Sequence, residues 1–137
     1  MREVGVVINT HGEPIYWHEP RVSSVSIPDS AELWNAMWRA HRDGWLAGFA
    51  HSHPGNGLPS PSQEDLSSFV ANESGLGRSL TWWITSSDRL VVITRSAMDS
   101  IPGREIYAVQ EVSVHREPPW AAELRRRSNA AGEGIYR

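Results

Sequence analysis

Residues 3–9, Glu-Val-Gly-Val-Val-Ile-Asn, are dense in β-branched side chains and stop at the turn signal Thr10, His11, Gly12. Ile15, Tyr16 and Trp17 then resume extended character, so the pattern predicts an opening hairpin. Val22, Val25 and Ile27 suggest a further short strand over 21–27, closed by Pro28. Beyond it Asp29 or Ser30 can cap a helix whose Leu33, Trp34, Met37, Trp38 and His41 recur at helical spacing and which stops near Asp43 and Gly44. That Trp and Met stripe is expected to pack into the core. The apolar run 45–50 reads as a buried strand ending in His51, Ser52 and His53. A loop over 54–61 follows, rich in Pro and Gly, and residues 61–65 have the acidic first turn of a second helix with Leu66, Phe69 and Val70 on its buried side.

Gly75, Leu76 and Gly77 break that pattern. Residues 80–85 and 89–94 then read as two strands joined by Ser86, Ser87 and Asp88, and 105–114 as another, with Ile106 and Ala108 among its inward candidates. Strands, helix, strand, helix, strands: the order predicts an α/β or α+β domain, one sheet with flanking helices, over residues 1–116. Residues 117–137 are expected to form a tail, with a short helix over 120–127 and little reason for order beyond Ser128. The run Arg125, Arg126, Arg127 is expected to be a solvated helix face.

Composition narrows the chemistry. A chain of 137 residues, 39% hydrophobic with seven Trp, can bury one domain's core. A net charge of -3 gives no basic excess for holding a phosphate backbone, so nucleic acid is a poor partner. Cysteine is absent, which excludes disulfides and thiolate metal sites and leaves His and carboxylates as the only strong ligands. No signal-like or membrane-length apolar stretch is present, so a soluble cytoplasmic protein without a membrane partner is expected. All thirteen cationic residues are Arg. GC-rich coding explains this, and avoidance of lysine beside a lysine-conjugating system is the functional alternative.

Two histidines one residue apart on a strand share a face, so His51 and His53 can reach one metal ion. Asp65, arriving on the next helix, would complete three protein ligands and leave a fourth position for water, the arrangement of a catalytic zinc site. A carboxylate outside that ligand set would be suited to moving the water's proton. Ser62, three residues before Asp65, could place a hydroxyl near a developing oxyanion. His11, His18, His41 and His115 lack partners at ligand spacing and read as surface or packing residues.

The segment His51-Ser52-His53-Pro54 through Ser62-Gln63-Glu64-Asp65 resembles the signature of the JAMM (MPN-plus) metallopeptidase family: His-x-His-Pro, a loop, then Ser-x-x-Asp. The residues Glu3-Val4-Gly5-Val6-Val7 resemble the family's Glu-bearing strand. The resemblance implies Zn2+ held by His51, His53 and Asp65, Glu3 as catalytic base and Ser62 steadying the tetrahedral intermediate. It also implies the JAMM/MPN-type, cytidine-deaminase-like fold, a curved β-sheet flanked by helices. The sequence departs from the pattern in two places. The His53-to-Ser62 loop is one residue longer than usual, and the alternative register would make Glu64 the ligand and put Pro61 in place of Ser62. The family's helix before the Glu strand has no counterpart in the two residues ahead of Glu3, where Glu13 and Glu19 are competitors as base.

The resemblance further implies a compact prokaryotic peptidase or isopeptidase that cuts after the C-terminal tail of a ubiquitin-like protein, as precursor or conjugate. E1/E2-like proteins of the same operon are then possible partners. The rival readings are a peptidase acting on cell-wall or phage-tail-associated peptides and a non-catalytic MPN-type scaffold, which generally lacks the ligands kept here.

Overall fold

The computed structural model describes residues 3–19, 31–96 and 107–135, with side chains to residue 129. Six strands form one open sheet: β1 (Gly5–Asn9), β2 (Pro14–His18), β3 (Leu46–Ser52), β4 (Thr81–Thr85), β5 (Leu90–Arg95) and β6 (Tyr107–Val112). Their order across the sheet is β2-β1-β3-β4-β5-β6, antiparallel except for the parallel β3–β4 pair. Helices α1 (Ala31–Arg42), α2 (Gln63–Leu76) and α3 (Pro119–Ile135) flank it, so the protein is a mixed α/β fold. No described helix is long and apolar enough to cross a membrane. The strand expected over 21–27, the cap at Asp29 or Ser30 and residues 105–106 lie outside the described residues.

The period-two alternation of the strands divides the core between the two faces of the sheet. On one face Val7, Phe49, Trp82, Ile84, Val91 and Ile93 meet Met37 and Ala40 of α1 and Phe69 and Leu76 of α2. On the other, Val4, Val6, Ile8, Ala50 and Leu90 meet Trp120, Ala121 and Leu124 of α3. The parallel pair at the centre needs close backbone approach at Gly48, where an added Cβ would lie 1.6 Å from the Thr81 carbonyl oxygen.

Several expectations need correction. On α1 Met37 is buried, but Trp34 and Trp38 keep 37% and 43% of their surface exposed, because the helix turns only the Met37–Ala40 side to the sheet. Trp34 instead lies over Gly75, where a Cβ would come within 3.0 Å of the indole, which gives that helix glycine its reason. Helix α2 therefore continues through Gly75 and ends at Gly77, whose left-handed backbone (φ 73°) closes the C-terminus. Strand β6 is an edge strand that stops at Val112, and its Ala108 is exposed rather than inward.

The segment after 117 differs most from expectation. Helix α3 runs through to Ile135, and Trp120, Leu124 and Ser128 are almost fully buried against the sheet. The arginine run is not a purely solvated face. Arg125 forms a two-pronged pair with Glu117 (2.7 and 3.0 Å) and reaches Thr85 Oγ1 at 2.8 Å. Arg127 pairs with Glu19 at 2.7 Å and lies 4.1 Å over the Trp17 ring. Arg126 alone stays outside, paired with Glu123.

Glu73, on the buried side of α2, is the polar hub of the first face. It is 2% exposed and accepts from Leu80 N (2.7 Å), Trp82 Nε1 (3.1 Å), Arg95 Nη2 (2.9 Å) and the Tyr107 hydroxyl. Burial and that bond to Glu73 push the Tyr107 phenol up to about 12. Because these donors come from the β4 side of the sheet, from β5 and from β6, Glu73 fixes how α2 sits on the sheet. Glu73→Ala removes one partner of the Glu73–Arg95 pair and the buried acceptor of Leu80 N and Trp82 Nε1, and chemical denaturation should show a loss of about 3–5 kcal/mol. An unchanged denaturation midpoint would remove Glu73 from this role.

Candidate metal centre

The site is assembled by strand register. Gly5 of β1 pairs with His51 of β3, and continuing that antiparallel register outward sets Glu3 opposite His53. The extension is real, since Ser52 N donates to Val4 O at 3.0 Å. Alternation puts Glu3, His51 and His53 on the same face of the sheet. His53 lies one residue past β3 and is held by its N–H to the Thr85 carbonyl, 2.8 Å.

Helix α2 brings the fourth group. Ser62 is its N-cap, and a capping box joins it to Asp65: Asp65 N donates to Ser62 Oγ at 3.0 Å and Ser62 N to Asp65 Oδ2 at 2.9 Å. The same carboxylate faces both histidines, with Oδ1 3.4 Å from His51 Nε2 and Oδ2 3.2 Å from His53 Nε2. His51 Nε2 and His53 Nε2 are 3.1 Å apart, and Glu3 Oε1 is 3.5 Å from His53 Nε2.

These spacings fit a metal. Ligands about 2.1 Å from a tetrahedral ion stand about 3.4 Å from one another. The His51–His53, Asp65–His51, Asp65–His53 and Glu3–His53 separations span 3.1 to 3.5 Å. Glu3, His51 and His53 form a cluster able to hold a metal ion, with ligand atoms all within 4.8 Å of each other, and it is the only such group among the described residues. Asp65 stands against both histidines of that cluster, so two carboxylates flank one imidazole pair.

Electrostatics agree with a cation-binding site. Burial pushes His51 below its ordinary value, and Asp65 only partly offsets this. Burial also opposes charge on His53, but the hydrogen bond and charge of Asp65, helped by Glu3, raise it. For Asp65, burial favours the neutral acid, yet hydrogen bonds from both histidines and the Ser62 amide hold it well below the usual carboxylate range. Asp65 is therefore an anion, and His53 is the nitrogen that holds a proton most firmly.

Of the residues singled out by the sequence, Glu3 and Asp65 each stand against the histidine pair, and Ser62 caps the helix that carries Asp65. Glu64 is exposed, while Asp65 faces the histidines. Glu13 is engaged with Asn9 in the hairpin turn and Glu19 with Arg127. His11 packs against Trp45 and His41 against Trp38 in tilted ring contacts. His115 is exposed, and His18 is half-buried on β2 with its value lowered by burial against the pull of Glu32.

The sequence reading missed the groups that hold the longer loop. Gly57 N donates to Asp88 Oδ1 (2.9 Å), Ser86 Oγ donates to Gly57 O (2.5 Å) and Ser87 N donates to Gly55 O (3.0 Å), so the β4–β5 turn pins it. Only the cluster of Ser and Asp in 86–88 hinted at this. No protein-family model matches the chain, and no curated protein matches it.

Metal must displace the proton that His53 holds. Because that pKa is raised, affinity for Zn2+ should climb as pH rises through the ordinary imidazole value, continue climbing just above it, and then level off. Calorimetric titrations between about pH 6 and about pH 8 should show one ion bound with protons released. Affinity that does not vary over this interval would contradict the protonation assigned to His53.

Proposed function

We propose that the protein is a zinc-dependent peptidase or isopeptidase of the JAMM type, with His51, His53 and Asp65 as ligands and Glu3 as general base. The observation that carries this reading is the contact of Asp65 with both imidazoles, 3.4 Å from His51 Nε2 and 3.2 Å from His53 Nε2, as a third ligand would make. The carboxylate of Glu3 stands 3.5 Å from His53 Nε2, which supports its reading as the base beside the ion. The intact His-x-His-Pro and Ser-x-x-Asp motifs support the same reading, as does a helix that crosses between the parallel strands carrying Asp65 in its first turn.

When bound, the zinc ion supplies a Lewis acid that lowers the pKa of water to about 7 and polarises a carbonyl. The chain's own groups do the rest. Glu3 takes the proton from the attacking water as its oxygen bonds to the scissile carbonyl carbon, then returns it to the leaving nitrogen as the C–N bond breaks. The Ser62 hydroxyl accepts the Asp65 N–H, which leaves its own proton to donate to the carbonyl oxygen. The capping box and the Glu73 hub keep both α2 residues in place.

The substrate proposed is the extended C-terminal tail of a ubiquitin-like protein, bound by strand addition. β2 is the edge strand on the side of the site. Gly5 pairs with His18 on one side and His51 on the other, so a strand added at β2 would run about three strand spacings, roughly 14 Å, from β3.

Zinc-loaded protein should cleave a cognate ubiquitin-like precursor or conjugate, and Glu3→Gln should retain zinc while losing about 100- to 10,000-fold in rate. His53→Ala should lose the metal. Identical behaviour of wild type and Glu3→Gln would overturn the assignment of the base, and cleavage of cell-wall peptides instead would redirect the substrate.

A further inference from the structure

Between the two histidines lies a residue whose side chain points away from the metal cluster. Ser52 is 2% exposed on the α3 face, and its Oγ accepts from Val4 N at 2.9 Å. In a regular antiparallel rung that amide would donate to the Ser52 carbonyl. Here the other half of the rung, Ser52 N to Val4 O, is made by backbone, and the hydroxyl serves as the second acceptor. The last fixed point before Glu3 is therefore a side chain. Ser52 Oγ also lies 3.2 Å from the hydroxyl of Ser128 on α3, which is fully buried.

A second tie runs from the same helix to the same end of the sheet. Arg125 of α3 donates to Thr85 Oγ1 at 2.8 Å and to Ser86 O at 3.2 Å, and Thr85 O receives the His53 amide. Helix α3 thus grips the chain at Ser52, the partner of Val4, and at Thr85, whose carbonyl holds His53. The grip at Ser52 is fully buried, so its hydrogen bonds are worth more than on the surface.

We infer that Ser52, backed by Ser128 of α3, is a positioning residue that sets the Glu3 carboxylate against His53. The inference rests on the metal reading of the cluster, with Glu3 acting beside the ion. A serine fits the position because the side chain must be short enough to stay within the rung and must offer both an acceptor for Val4 and a proton for Ser128. Alanine keeps the volume nearly unchanged and removes both.

The test uses the full chain, Co2+ as the probe ion and four variants: Ser52→Ala, Ser52→Thr, Glu3→Gln and Ser52→Ala combined with Glu3→Gln. Hydrogen exchange at the Val4 amide should accelerate at least about tenfold in Ser52→Ala and return towards wild type in Ser52→Thr. The visible absorption of the Co2+ form should change in Ser52→Ala in the same sense as in Glu3→Gln, and the double variant should add nothing further. A merely structural serine would give independent, additive changes, and that result overturns the inference. So does unchanged Val4 exchange, whether or not metal binds. If the wild type takes up no Co2+, the metal reading itself has failed and with it the inference, whatever the Val4 amide shows. Should Ser52→Ala fail to fold, Ser128→Ala, which leaves the Val4 acceptor in place, is expected to give a smaller change of the same sign in both readouts, and no change in either would count against the brace.

Discussion

The pairing of β1 with β3 is the constraint on which the rest of the site depends. With Gly5 opposite His51, every residue of β1 has its face and its partner decided, and Glu3 comes to lie across from His53. A slip of one residue would move Glu3 to the α3 face of the sheet and remove a carboxylate from the cluster. Two cores hold the register, since Val7 and Phe49 are buried on one face and Val4, Val6, Ile8 and Ala50 on the other. Burial on both faces is what makes the register specific.

Helix α2 contributes differently. A capping residue at a helix N-terminus would ordinarily spend its carboxylate on backbone amides, yet Asp65 satisfies the Ser62 amide and still presents both oxygens to the imidazoles. One turn of helix therefore supplies a structural cap and a carboxylate facing both imidazoles with the same group. Its distance from the sheet is set two turns on, at Glu73, by donors at Leu80, Trp82 and Arg95. The position of Asp65 and the stability of the first core are in this way coupled.

The site residues and most of the elements were legible in the sequence because they depend on local signals: period-two alternation into His51 and His53, Pro and Gly in the loop, and an acidic first turn after Ser62. Glu3 was reached only through resemblance to a family motif. What could not be read depends on contacts distant in sequence. The exposure of Trp34 and Trp38 follows from which side of α1 meets the sheet, and apolar spacing alone does not decide that. Glu73 looks like a surface residue of a helix until its four donors are in place. The order of α3 beyond 127 is not encoded in its Ala- and Gly-rich composition. Its preceding turns are anchored by Trp120 and Leu124 in a core formed by strands far earlier in the chain.

The central claim is that groups from β1, β3 and α2 surround one ion with two imidazoles and carboxylate oxygen. X-ray absorption at the zinc edge of the zinc-loaded protein tests this most directly. The account predicts a four-coordinate shell of nitrogen and oxygen at about 2.0–2.1 Å, with the outer-shell scattering of two imidazoles. A six-coordinate shell of oxygen alone, or scattering from fewer than two imidazoles, would contradict it.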